Sequence, residues 1–196
     1  MHLARLSSYL SGGRAPGAAR VHPGCRDRRP PRRAVPALLT GQLYFALESR
    51  TWTGGMGFYD PSEEGELPVR AYLLSTRQFA DIAAQEMARA PGAELDLREV
   101  LTAGRARLGP GRYETLVCAG LLDGLPVLTF TAPWRRADAA LNRPAAAYLA
   151  HLGAGLREAH GWGNGRIAAY LSSRPGAAGE WTPAEVEGLL PADDRP

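Results

Sequence analysis

Residues 71–89 read AYLLSTRQFADIAAQEMAR, and this stretch sets a carboxylate where a helix normally buries an apolar side chain. Ser75 and Gln78 make the S-x-x-Q capping box that starts a helix after the strand-like VRAYLL. Phe79, Ile82, Ala83 and Glu86 then recur at i, i+3, i+4 and i+7, the spacing of the core-facing stripe of an amphipathic helix. The spacing points Glu86 inward. A carboxylate that loses water is harder to ionise, which is how a protein obtains a general acid/base able to work near neutral pH. The alternative is a glutamate at the margin of the stripe, paired with an arginine or reaching water, since ionisable residues are seldom buried unpaired.

The chain has 196 residues, enough to bury a core as one domain. Its charge is unevenly placed. Residues 1–33 hold eight arginines and one aspartate, a net +7, whereas fifteen arginines and nineteen acids leave the remainder at −4. Only the Arg-rich segment could therefore be an electrostatic footprint. No aromatic residue is interleaved between Gly13 and Arg33 to stack bases, so the segment reads as a solvated connector and nucleic acid is not the expected partner. Cys25 and Cys118 lack any C-x-x-C partner and read as reduced thiols, with Cys118 buried in an apolar run. No run of 18 apolar residues exists, and MHLARLSSYLSGG lacks the layout of a secretory signal. The expectation is a cytoplasmic bacterial protein with no membrane partner.

In chain order, residues 3–10 suit a short helix, and 14–34 form an Arg/Pro-rich loop. The run PALLTGQLYFALES reads as a core strand, with Leu43, Phe45 and Leu47 alternating with Tyr44 and Ala46. Gly54 and Gly55 then break the chain before a short strand over 56–59. Such a pair lets backbone approach a ligand closely, and it equally makes a plain turn. A strand over 67–74 leads into the helix bearing Glu86. DLREVLTAGRARL predicts a second helix with Leu97, Val100 and Leu101 on one face, ended by Gly109-Pro110-Gly111. Arg112 to Leu122 reads as a long strand, turned by Asp123-Gly124 into PVLTFTAP. A helix opened by Pro144 carries Tyr148, Leu149, Leu152 and Leu156 on one side, and helices near 165–173 and 183–190 follow.

Strands from separate parts of the chain with helices between them predict a mixed α+β domain. Residues 1–174 read as that single domain and 175–196 as a C-terminal extension. There is no G-x-S-x-G, no G-x-x-x-x-G-K, no G-x-G-x-x-G and no H-E-x-x-H. His2, His22, His151 and His160 are too scattered for a zinc set, and the last two lie on opposite faces of one predicted helix, so they cannot share one metal and read as ordinary surface histidines.

Taken together, Thr51-Trp52 with Gly54-Gly55, an acid-rich turn, a strand, the helix ending Gln85-Glu86, and then Gly111-Arg112-Tyr113 resemble the gamma-glutamylcyclotransferase-like family. The order and spacing match from about Val35 to Leu128. The resemblance implies a small mixed β-barrel with flanking helices, and Glu86 as its catalytic acid/base. More narrowly, SGGRAPGAARVHPGCRD, RYETLVCAG and LTFTAPW look like actinobacterial proteins often labelled histone deacetylase. Zinc deacetylases need a histidine pair and Asp/His metal ligands, a set this sequence does not supply. The family begins with a strand ending in Tyr-Gly-Ser-Asn, and Met1 stands where the residue after that Asn would be. The first strand is thus missing, and the expectation is a start assigned late, because loss of a central strand would expose an unpaired edge.

The reaction implied is an intramolecular aminolysis. The α-amine of a γ-glutamyl amine or peptide attacks its own γ-carbonyl, closing 5-oxoproline and expelling the attached amine, with Glu86 moving the proton between the two nitrogens. The resemblance implies a small-molecule γ-glutamyl substrate and neither metal nor cofactor. It implies too that Tyr113 orients the substrate and that Gly54 and Gly55 line it. Arg50 and Arg70 could meet a substrate carboxylate, or form surface ion pairs. The rival expectation is a binding or regulatory module that keeps the fold without the chemistry.

Overall fold

The computed structural model describes residues 2–14, 21–49 and 52–192. In order, the elements are α1 (Leu3–Ser11), β1 (Gly13–Arg14), β2 (Val21–His22), β3 (Arg33–Thr40), β4 (Gln42–Ala46), β5 (Met56–Asp60) and β6 (Glu66–Leu73). Then come α2 (Thr76–Glu86), α3 (Arg98–Ala103), β7 (Arg105–Arg107), β8 (Thr115–Leu122), β9 (Leu125–Thr131), α4 (Ala146–His160), α5 (Asn164–Ser172) and α6 (Pro183–Gly188). The strands form small sheets, β1-β2, β3-β6, β4-β5 and β7-β8-β9. All are antiparallel: the ladders of three of them say so directly. In the fourth, Arg32 N–H donates to the Leu73 carbonyl at one end and Gly41 N–H to that of Gly65 at the other. The α+β class expected from the sequence is what forms, but the described strands close no barrel. One reason is visible at Gly41. Its φ of 117° turns the chain, so a run read as a single strand enters two different sheets.

The chain folds as two units. The first holds Pro36–Arg70 and the chain from Arg136 onward, with the first residues of the protein. Its core gathers Phe45 from β4, Leu149 and Leu156 from α4, and Ile167, Ala168 and Leu171 from α5. Ala177, Val186 and Leu190, from the segment read as a C-terminal extension, are buried in this same core. Leu149 and Leu156 behave as the helical spacing requires, whereas Tyr148 is only half-buried. His151 and His160, expected at the surface, are each half-buried. The His151 ring lies 5.6 Å from that of Trp52 and 5.5 Å from that of His2, and a His160 ring nitrogen meets the Val69 carbonyl at 3.0 Å.

The second unit holds Ala4–Val35 and Ala71–Arg135. One cluster packs Leu6, Tyr9 and Leu10 of α1 with Cys25 and Ile82, and another packs Val100, Ala106 and Leu116. α3 is shorter than its pattern suggests. Gly104, at φ 76°, ends it five residues before the expected stop, and β7 follows, which leaves Leu101 exposed. The long strand also starts late, at Thr115, because Gly111-Arg112-Tyr113 form a turn. The Asp123-Gly124 hairpin is as read: both residues adopt positive φ, and Leu122 pairs with Leu125. Cys118 is half-buried and not enclosed as expected, while Cys25 is the buried thiol.

Candidate active site

The predicted capping box is present and decides how α2 starts. Ser75 accepts from the Gln78 N–H while the Gln78 side chain accepts from the Ser75 N–H. The face that α2 buries is more polar than its pattern suggests. Gln78, Asp81 and Gln85 are all buried, at i, i+3 and i+7, while Phe79 is half-buried. Each is satisfied. Gln78 Nε2 donates to the Arg29 carbonyl at 2.9 Å and to that of Asp27 at 3.3 Å. Asp81 accepts from the Arg26 backbone N–H at 2.8 Å and from its guanidinium at 3.0–3.1 Å. Gln85 Nε2 donates to the Tyr9 carbonyl at 3.1 Å. This polar stripe ties α2 to the loop around Cys25 and to α1.

Glu86 is the last residue of α2 and is half-buried, between the two alternatives its sequence position left open. Among the described residues no arginine holds it directly. The Tyr9 hydroxyl donates to Glu86 Oε1, and Arg5 Nη2 approaches the Tyr9 oxygen at 3.4 Å. Tyr9 is almost wholly buried, its ring 3.9 Å from that of His22. Burial, and then the Glu86 charge, push the Tyr9 phenol far above its ordinary value, with Arg5 pulling the other way. At neutral pH it is therefore a proton donor only to its partner, never a phenolate.

Tyr113 is half-buried in the turn before β8. Its neighbour Glu114 anchors that turn to the end of α2: Arg89 Nη2 donates to Glu114 Oε1 at 2.8 Å, and Gly111 N–H to Oε2 at 2.8 Å. A side chain at Gly109 would collide with the Glu114 carboxylate, so glycine is what admits the anchor. Glu86 and Tyr113 thus belong to one unit, on segments joined three residues after Glu86. Gly54 and Gly55 belong to the other unit. There Gly55 N–H donates to the Arg143 carbonyl at 2.7 Å, and a Cβ on Gly55 would strike the Asn142 carbonyl. Trp52 stacks on Tyr148, with ring centroids 5.5 Å apart. Arg70 pairs with Glu158, the ion-pair alternative. Arg50 and Thr51 lie outside the described residues, as does part of the Arg-rich loop.

Sequence reasoning missed Tyr9, Arg5, the bond from Gln85 to α1 and the Asp81–Arg26 pair. Two signals could have found them: Arg5 and Tyr9 stand at i and i+4 on the expected first helix, and Gln78, Asp81 and Gln85 repeat at helical spacing. Among the described residues no group of three or more His, Cys, Asp or Glu side chains is placed to hold a metal ion. Nor is any of their helices long and apolar enough to cross a membrane.

Fold and site define a mixed α+β protein with a partly exposed helix-terminal carboxylate held by a buried phenol. No family model matches the chain, and no solved structure does. It is 28% identical over 172 residues to Histone deacetylase 5 of Arabidopsis thaliana, an alignment that covers 79% of this chain and 26% of that protein. The chain spans about a quarter of the length of the relative it matches.

Proposed function

We propose that the chain is a gamma-glutamylcyclotransferase-like enzyme that releases 5-oxoproline from a γ-glutamyl amine or peptide, with Glu86 as general acid/base. The observation that carries this reading is the Glu86 carboxylate itself, half-exposed at the end of α2 with one oxygen fixed by the Tyr9 phenol. Reach to solvent and a fixed orientation are what a proton-transfer group needs. As the substrate's α-amine attacks the γ-carbonyl, its nitrogen sheds a proton to Glu86. The same proton returns to the departing nitrogen as the C–N bond breaks. Ring closure is already unimolecular, so the protein's work is to hold the near-attack conformer and shield the oxyanion. The turn anchored by Glu114 supports Tyr113 as a group that orients substrate. The close packing of Gly54 and Gly55 on residues 142–145 supports a packing role for those two glycines.

The relative's name belongs to a much longer protein, of which the alignment covers 26%, and a zinc deacetylase needs a ligand set that the described residues do not assemble. The test is direct. Purified chain is incubated with a panel of γ-glutamyl peptides and amines, and 5-oxoproline is measured. Release from at least one supports the reading; none from any overturns it in favour of a binding module.

A further inference from the structure

On the reading of Glu86 as acid/base, we propose that Arg5 and Tyr9 are its positioning residues, a one-way donor chain that engages Oε1 and makes Oε2 the atom exchanging the proton with substrate. The direction of the chain follows from chemistry. A guanidinium has only donors, so the Tyr9 oxygen accepts from Arg5 Nη2, and its own proton is left for Glu86. The first bond cannot reverse while Arg5 stays charged, nor the second while Glu86 is ionised, and burial keeps Tyr9 protonated. Oε1 is thereby engaged. Among the described residues no other hydrogen bond reaches the Glu86 carboxylate, so Oε2 is the oxygen left to serve a ligand.

Tyr9 is fixed on three further sides. Its carbonyl accepts from Gln85 Nε2 at 3.1 Å and from Cys25 Sγ at 3.3 Å, and its ring lies on His22. Gln85 immediately precedes Glu86, so the bond that locks α1 to α2 sits one residue from the carboxylate it aims. The charged groups on the neighbouring segments are otherwise occupied: Arg89 binds Glu114, and Arg26 binds Asp81. A plain packing role for Tyr9 would need the ring alone. A positioning role needs the hydroxyl.

The experiment uses Tyr9→Phe, which keeps the ring, and Arg5→Met, which cuts the chain one step earlier should Tyr9→Phe fail to fold. Tyr170→Phe removes a buried hydroxyl with no hydrogen-bond partner among the described residues, in the other unit, and serves as control. Turnover of a γ-glutamyl peptide should show kcat lowered roughly 10-fold by Tyr9→Phe with KM little changed, because the group that moves the proton is misaimed while substrate contacts persist. The second readout needs no turnover. The infrared carboxylate band of Glu86, assigned by subtracting the Glu86→Gln spectrum, should shift in Tyr9→Phe and stay in place in Tyr170→Phe. An unshifted band, or an unchanged kcat, overturns the proposal. A parent that turns over no γ-glutamyl compound overturns the reading of the activity, and with it the relay's part in proton transfer. A shifted band in that silent protein would still establish that Tyr9 holds Glu86, so the two failures remain distinct.

Discussion

Asp81 shows how much a single buried charge contributes to the unit that carries Glu86. Burial alone would push its carboxyl up, but the side-chain and backbone hydrogen bonds from Arg26 outweigh that and hold it below the usual range. A folded-state value below the unfolded one stabilises the protein above about pH 3.9, the ordinary aspartate value, and the contribution is lost as pH falls through the folded value. Asp81→Asn should therefore cost about 1–3 kcal/mol in urea denaturation at pH 7, and less at pH 3. An equal cost at both pH values would mean that charge is irrelevant there. Cys25 gives a second test at this scale. Burial, and then the Asp81 charge, push its thiol up to about 11, so it should resist alkylation at pH 8 while the half-buried Cys118 is modified first. Mass spectrometry after timed iodoacetamide treatment reads the order directly.

At the scale of elements, two capping boxes start helices, one in each unit. Thr182 accepts from the Glu185 N–H while Glu185 reaches back to Thr182 N–H, repeating the arrangement of Ser75 and Gln78. Ser75→Ala and Thr182→Ala should each lower stability by about 1 kcal/mol in denaturant melts. Neither should alter the folded helix content by circular dichroism. The Ser75 cap was legible because its chemistry is local, and so was the Asp123-Gly124 turn. The elements that misled did so because tertiary context or a single glycine overrode a pattern. Gly104 ends α3 where the apolar spacing would have continued it, and Gly41 splits one apparent strand into two. The polar stripe of α2 was missed for a different reason. Gln78, Asp81 and Gln85 look like a solvated face until the loop partners Arg26 and Arg29 are brought to them, and nothing in a window of one helix announces those partners.

For the whole molecule, the sequence shows the α+β class and the helix that ends in Glu86, whereas it gives no hint that a phenol 77 residues away would meet that carboxylate. Contacts of such long separation are set by how elements pack, not by any local preference. The proposed activity rests on Glu86. Glu86→Gln keeps the size of the side chain and can still accept from Tyr9, but it cannot take and return a proton, so the fold should persist while chemistry fails. The most direct test is single-turnover release of 5-oxoproline from a γ-glutamyl peptide by the parent chain, Glu86→Gln, and Glu64→Gln as an exposed control. Release should fall roughly 10²-fold or more in Glu86→Gln and not at all in Glu64→Gln, with both variants melting near the parent. Full turnover by a folded Glu86→Gln protein would contradict the proposed role of Glu86.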